Sequence, residues 1–520
     1  MSRKVVGVIL LLVVGAVAIV GAWYLLPYFK EHQQKTTSDA RKTKGKITIA
    51  LDNWIGYFPL RSPEMQAAMR HAGWQLVLQD DNADYRGRME KLKKGEIDLA
   101  VATVDSFILN AHDFDYPGTI IMVIDESKGG DSILAKSDVV QNLSELKGRT
   151  GLRVAFTPNS PSHHLLKAAV DHFNVPELLP TGPDRIETNG SEEALKKLLT
   201  GKADLAVLWE PDVSKALAQP GVVKLLGTED TEGLIVDILV VSRKFAKDQP
   251  ELVKALLKNY FRVLKKYRDN PDLLRKDIKT ETGLSDDTVQ SMLKGVAWVN
   301  FGQNCENWFD VAAPGSFSQE GIVDAIYSAS SILVNAGDFS KDPVPDGDPY
   351  RLINSAFLED LYSSGMSGFV AETPSGPAPV SSLETRFPPL DDAGWAKLKE
   401  VGALKVEPIV FQSGTDTLDL LAKQVVDKTV ERLKHYPNFR VVIKGHTGTR
   451  GDEQENLRLS QDRADAVAKY LEITYNIDPN RLKAVGFGGQ QPLPRDPNET
   501  KRAHEYRLPR VELVLVREEI

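Results

Sequence analysis

The sequence predicts an α/β protein in three parts: a two-lobed clamp, a smaller C-terminal α/β domain, and one transmembrane helix ahead of both. Three observations carry this. Short apolar runs alternate with amphipathic helices from Ile47 onward, and the pattern occurs twice before residue 345. Phe439, Val441 and Ile443 alternate as in a strand. A polar loop follows, and then Leu457, Ala464, Val467, Ala468 and Leu471 recur at helical spacing. Near the start, the run Val5 to Phe29 carries no charge.

The 520 residues carry a net charge of -8 with no basic stripe, which argues against nucleic acid as a partner. A single cysteine, Cys305, excludes an intrachain disulfide and a cysteine-cluster metal site.

The uncharged run is longer than the roughly 20 residues that cross a bilayer as a helix. It also exceeds the roughly 7–15-residue apolar core of a cleaved signal peptide. Trp23, Tyr24 and Tyr28 sit at one end, as interfacial aromatics do. Arg3 and Lys4 precede it, so the positive-inside rule puts the N-terminus in the cytoplasm and everything after Lys30 outside. Residues 1–45 thus read as an anchor and a tether.

From residue 46 the order is strand Ile47–Leu51, helix Pro63–Ala72, strand Trp74–Leu78, helix Met89–Lys94 and strand Ile97–Val101. This βαβαβ order implies a doubly wound lobe with ligand chemistry at the carboxyl ends of its strands. A second set runs through Arg153–Phe156, the helix after Pro161, Leu195–Leu199 and Asp204–Leu208. Leu234–Val241 reads as the crossing back. Leu252, Leu256, Leu257, Tyr260 and Leu264 form a core stripe on a later helix.

Three short motifs agree in order and spacing with periplasmic solute-binding proteins of the nitrate, sulfonate and taurine type. They are Asn53-Trp54-Ile55-Gly56-Tyr57-Phe58-Pro59-Leu60, Gly95-Glu96-Ile97-Asp98-Leu99-Ala100 and Ala206-Val207-Leu208-Trp209-Glu210-Pro211. Residues 46–345 resemble that family, the substrate-binding component of an ABC transporter. The resemblance implies a periplasmic-binding-protein fold with a small solute held between its lobes. Candidate cleft residues lie just past strand ends: Trp54, Tyr57, Asp105, Ser106, Asp125, Ser127, Asp131, Ser160, Ser162 and Glu210.

Each candidate has a structural alternative. Trp54 and Tyr57 suit a core strand end. Ser160 suits an N-cap with Pro161 in the first turn. The N–H groups of that helix would otherwise suit an anion. Asp125, Asp131 and Glu210 pull the other way, so a zwitterion or uncharged ligand stands as open as an oxyanion. His163 and His164 point about 100° apart on a helix and do not readily share a metal ion.

Residues 346–400, with Pro374, Pro377, Pro379, Pro388 and Pro389, read as a linker. In residues 401–520, Gly445-His446-Thr447 and Asn456-x-x-Leu459-Ser460-x-x-Arg463-Ala464 match the signature of the OmpA-like peptidoglycan-binding domain. The resemblance implies that Thr447, Gly448, Asn456 and Arg463 face the diaminopimelate of the wall peptide. Arg463 stands at the family's arginine. Gly448 stands where the family has an aspartate, which implies weak binding.

The resulting expectation is a single-pass inner-membrane protein with its bulk in the periplasm. It would capture a small solute for a transporter or sensor partner and be tethered to peptidoglycan, without a cofactor, a metal or catalysis. The alternative is a structural protein that joins membrane to wall and reuses the solute-binding fold as a spacer or partner-binding module.

Overall fold

The computed structural model describes residues 43–311, 321–366 and 385–518, apart from 408, 410, 412, 413 and 497. The run Val5–Phe29 and the prolines Pro374, Pro377 and Pro379 lie outside the described residues. Among the described residues, no helix is long and apolar enough to cross a membrane.

The first lobe opens with β1 (Gly45–Leu51), α1 (Pro63–His71), β2 (Trp74–Asp80), α2 (Tyr85–Lys94) and β3 (Leu99–Thr103). β1 lies between β2 and β3 and runs parallel to both. All of β3 is buried, as expected for a parallel strand covered on both faces. Ser62 starts α1 by accepting the Met65 N–H, and Pro63 occupies the first turn. Gly95 ends α2 at φ 71°, a conformation that glycine adopts without steric cost. After α3 (Val104–Ala111), β4 (Gly118–Ser127) returns through the sheet.

The chain then crosses at Lys128–Gly130 into a second lobe. That lobe holds β5 (Asp131–Lys136), β6 (Val154–Phe156), α4 (Pro161–Phe173), β7 (Arg185–Glu187), α5 (Ser191–Leu199), β8 (Leu205–Trp209), α6 (Asp212–Leu217) and β9 (Val222–Gly227). A second crossing, Thr228–Ile235, leads back, where the sequence places the return, to β10 (Val236–Ser242), which sits between β3 and β4. The first-lobe order is β11-β4-β10-β3-β1-β2, with β11 at Val296–Trp298. The second-lobe order is β7-β6-β8-β5-β9. Each lobe therefore joins three parallel strands to antiparallel strands carried by the crossings.

Helices α7 (Pro250–Asp269), α8 (Pro271–Thr282) and α9 (Asp286–Lys294) cover the first lobe. The expected stripe Leu252, Leu256, Leu257, Tyr260 and Leu264 is buried there. Helix α10 (Gly321–Asn335) spans both lobes: Ile322, Ile326 and Leu333 pack in the first-lobe core, and Ile332 in the second.

The linker expected at 346–400 is shorter than predicted. Leu352, and Phe357, Leu358 and Leu361 of α11 (Ala356–Ser363), pack into the first lobe, where the Asn354 N–H donates to Ile120. Their apolar spacing makes them core. At the other end Phe387 already belongs to the C-terminal domain. Its N–H donates to Asp478, and the Arg440 guanidinium lies 5.0 Å from its ring.

The C-terminal domain is a sheet of order β12-β15-β13-β14, with β12 at Lys399–Ala403, β13 at Arg440–His446, β14 at Leu482–Gly486 and β15 at Arg510–Arg517. Helices α12 (Leu420–Leu433) and α13 (Glu453–Tyr475) pack on it. Ala464, Val467 and Leu471 of α13 are fully buried, whereas Leu457 is 41% exposed in its first turn beside the loop.

This domain shares a core with the second lobe. Phe173 and Leu143 lie against Gly402, where an added Cβ would stand 2.8 Å from the Phe173 ring. His172 Nδ1 and the Tyr436 hydroxyl are 2.8 Å apart. The second crossing is held from the same side. His435 Nδ1 donates to the Glu232 carbonyl at 2.7 Å, Asn438 donates to the Glu229 carbonyl at 3.1 Å, and Arg517 pairs with Asp230.

Burial pushes the Asp230 carboxyl up to about 6, and the Arg517 guanidinium opposes this. Arg517→Ala is expected to cost about 1.5–3 kcal/mol, the range for hydrogen bonds to charged groups, measured by urea unfolding of the full chain. Combining it with Asp230→Asn should recover part of that loss, because no buried charge is then left unpaired. Simple additivity of the two changes would show that the pair is not coupled.

Candidate functional site

The strand ends of both lobes meet at the two crossings, and most of the predicted cleft residues gather there. They are buried and bonded to one another. Asp131 takes hydrogen bonds from Ser127 at 2.9 Å and Ser162 at 2.5 Å. Thr228, in the second crossing, accepts the N–H groups of Gly129 at 2.9 Å and Asp131 at 3.1 Å, and its hydroxyl lies 2.8 Å from Ser127 Oγ. Trp54 is half-buried. Its Nε1 donates to Asp125 at 3.2 Å, and its ring lies so close to Gly130 that an added Cβ would stand 2.3 Å away.

Tyr57 lies elsewhere than the sequence suggests. The turn Ile55–Tyr57 rotates its ring into the first-lobe core, where it is 1% exposed, and only its hydroxyl reaches a polar partner, Asp237. Ser106 stays in α3 and closes a capping box with Thr103 at the helix start. Ser160 caps α4 and accepts the His163 N–H at 3.2 Å. Glu210 accepts from the backbone and hydroxyl of Ser214 in α6, and that hydroxyl lies 2.8 Å from Ser291 in α9 of the other lobe.

Sequence reasoning did not single out Asp237 or Thr228, read Tyr260 as core, and weighed His164 only as a metal ligand beside His163. Asp237 faces Asp125 across β10 and β4. The signal was present: Asp237 is a lone acid inside an apolar strand. Burial raises both carboxyls, and Asp125 raises Asp237 further, which favours the protonated form of the pair. Burial also pushes Asp105 and Asp131 up to about 6. His164 of α4 stands 3.9 Å from Asp105 of α3 across the lobes, and burial lowers it to about 3.

Several buried atoms here have no hydrogen-bond partner: Asp105 Oδ1, Asp125 Oδ2, both ring nitrogens of His164 and the Tyr260 hydroxyl. Such atoms are rare in folded proteins and mark places where water or a ligand belongs. Among the described residues, no cluster of His, Cys, Asp and Glu is arranged for a metal ion.

In the C-terminal domain, Arg463 is 7% exposed. It donates to the Thr415 carbonyl at 3.1 Å, and its guanidinium lies 4.9 Å from the Phe411 ring. Asn456 donates to the Arg450 carbonyl at 2.9 Å. Thr447 is buried beside the loop, and its N–H donates to Gly488 at 2.9 Å. Gly448 has no positive φ and open space where a Cβ would stand. Asp452 caps α13 by accepting the Glu455 N–H, which commits its carboxylate to the helix.

Residues 71–273 match the family model described as NMT1/THI5 like, and residues 410–506 match the OmpA family model. The chain joins an NMT1/THI5-like region to an OmpA-family domain. The OmpA domain is 33% identical over 100 residues to the outer membrane protein Omp38 of Acinetobacter baumannii, covering 19% of this chain and 28% of Omp38. It is 29% identical over 85 residues to the peptidoglycan-associated lipoprotein of Rhizobium meliloti, covering 16% of this chain and 48% of that protein. The chain thus spans less than half the length of these curated relatives. Among solved structures, the periplasmic aliphatic sulphonate binding protein SsuA of Escherichia coli aligns at 17% identity and a TM-score of 0.46, covering 60% of this chain and 99% of that one.

Tyr57→Ala should cost about 3–5 kcal/mol, as truncation of a buried aromatic does. Trp54→Ala should cost less, because its ring is half-buried; equal losses would place both in the core. A second prediction concerns pH. Asp131 has a folded pKa above its unfolded one, so the folded state binds the extra proton and this contribution is lost as pH rises from about 4 through about 6. Asp131→Asn should therefore gain on the wild type by roughly 1–3 kcal/mol between pH 4 and pH 7. The buried histidines act in the opposite direction but are common to both proteins and cancel in the difference.

Proposed function

We propose that this protein is a wall-associated receptor and not a catalyst. Its NMT1/THI5-like lobes close on a small solute, and its OmpA domain holds peptidoglycan. The run Val5–Phe29 anchors it in the inner membrane, with the bulk of the chain in the periplasm, where it hands its solute or signal to a transporter or sensor partner.

One observation carries the capture reading: both lobes supply buried polar atoms without partners to one seam, Asp105 and Asp125 from the first and His164 from the second. A pocket that fixes a small ligand needs such convergent polar groups. The peptidoglycan reading is supported by the OmpA match, by the kinship with a peptidoglycan-associated lipoprotein and by Arg463 beside an open loop. The spacer reading is favoured by the Ser162–Asp131–Ser127–Thr228 chain, which closes the lobes with the protein's own side chains. A thermal-shift screen of the full chain separates the two readings. Ligand binding to the folded state raises its melting temperature, and no shift with any small-molecule class would leave the spacer.

The chain should sediment weakly with purified peptidoglycan, and Arg463→Ala should abolish this. Gly448→Asp should strengthen it by roughly one order of magnitude, because a charge-assisted hydrogen bond of about 1.5–3 kcal/mol is restored. The backbone and the open space at Gly448 accept the change. Absence of sedimentation for both the wild type and Gly448→Asp would contradict the wall reading.

A further inference from the structure

Four carboxyls meet in the seam with no basic side chain to match them. Asp105, Asp125 and Asp237 belong to the first lobe, and Asp131 opens the second. Among the described residues, none of them forms an ion pair with lysine or arginine. Lys167, whose charge acts on Asp105, is held by Asp338 at 2.8 Å. The carboxyls feel one another: Asp131 acts on Asp125 and Asp237, and Asp105 acts on Asp131.

Two unpartnered groups that are not acids lie beside them. The Tyr260 hydroxyl is fully buried next to Asp125 and Asp237. His164 is 2% exposed, with both ring nitrogens unpartnered, 3.9 Å from Asp105. Ionised carboxylates only accept hydrogen bonds, whereas a neutral imidazole carries one N–H donor and one acceptor nitrogen, and a phenol hydroxyl both donates and accepts. Acceptors therefore outnumber donors in the seam, and a cation placed among its carboxyls would favour their ionised form.

An anion finds the opposite. The start of α4, where free N–H groups would greet it, is already served. Ser160 Oγ takes the His163 N–H, and the Ser162 hydroxyl is given to Asp131. A sulfonate or carboxylate would add negative charge to a buried site without a basic residue, and such a charge is costly unless paired.

We propose that the seam takes a small solute carrying an ammonium or another compact nitrogen cation, whose N–H groups are shared among Asp105, Asp125 and Asp131, with the Trp54 ring beside it. This rests on the capture reading above. Charge-assisted hydrogen bonds of this kind are the strong ones, and an indole face attracts a cation.

The test uses three probes with the same carbon skeleton: 2-aminoethanol, taurine and isethionate. Each is titrated against the full-length protein by calorimetry and thermal shift. 2-Aminoethanol should bind and raise the melting temperature, taurine should bind more weakly because its sulfonate finds no basic partner, and isethionate should not bind. Asp125→Asn combined with Asp131→Asn should weaken 2-aminoethanol by about tenfold or more, which corresponds to about 1.4 kcal/mol, while the variant's circular dichroism and cooperative unfolding confirm that it folds. Isethionate binding as tightly as 2-aminoethanol, or cation binding indifferent to the double change, would overturn the proposal and leave the capture reading standing. No response to any of the three would overturn the proposal, and the broader small-molecule screen then decides the capture reading.

Discussion

The architecture turns on Thr228. Its hydroxyl oxygen accepts two backbone N–H groups of the first crossing, from Gly129 and Asp131, and contacts the Ser127 hydroxyl, so one side chain ties both crossings together. Any opening of the lobes must bend the chain at this point. The next residues, Glu229 to Glu232, are bonded by the OmpA domain through Asn438, Arg517 and His435. The C-terminal domain therefore rests against the pivot of the clamp, on a core shared with the second lobe. The second lobe and the OmpA domain form one packed unit, and Ser328 of α10 bonds to His435 of the same domain.

The seam beside that pivot is held by burial and charge acting against each other. Burial raises Asp125, Asp237, Asp105 and Asp131 and so favours their neutral forms, which lets acids pack together without a counter-charge. The same burial keeps His164 neutral, so its pair with Asp105 is not a salt bridge near neutral pH. A seam of this kind stays closed with its polar groups only partly satisfied, and the remaining acceptors define what chemistry would complete it.

Much of the fold was legible because it is written in local periodicity. The repeated βαβαβ pattern placed both lobes, and the return of Val236–Ser242 to the first sheet followed from its apolar run. The caps at Ser62, Ser160 and Gly95 stood at sequence positions where helices start and stop. Other features depend on contacts that no local pattern encodes. Asp237 meets Asp125 only because β10 lies beside β4. Tyr57 looked like a cleft residue because it sits in a loop, yet its ring turns into the core. The stretch 346–366 reads as linker together with the prolines Pro374 to Pro389 that follow it, yet Phe357, Leu358 and Leu361 make a buried face. The docking of the OmpA domain on the hinge depends on Gly402 leaving room for Phe173, a meeting of segments far apart in the chain.

The most direct measurement is hydrogen exchange at the Gly129 and Asp131 amides, the two N–H groups held by Thr228, in the full chain with and without 2-aminoethanol. A solute that completes the seam holds the lobes closed, so the account predicts slower exchange at both amides when it is present. Exchange at both amides that is unchanged at saturating 2-aminoethanol would contradict it.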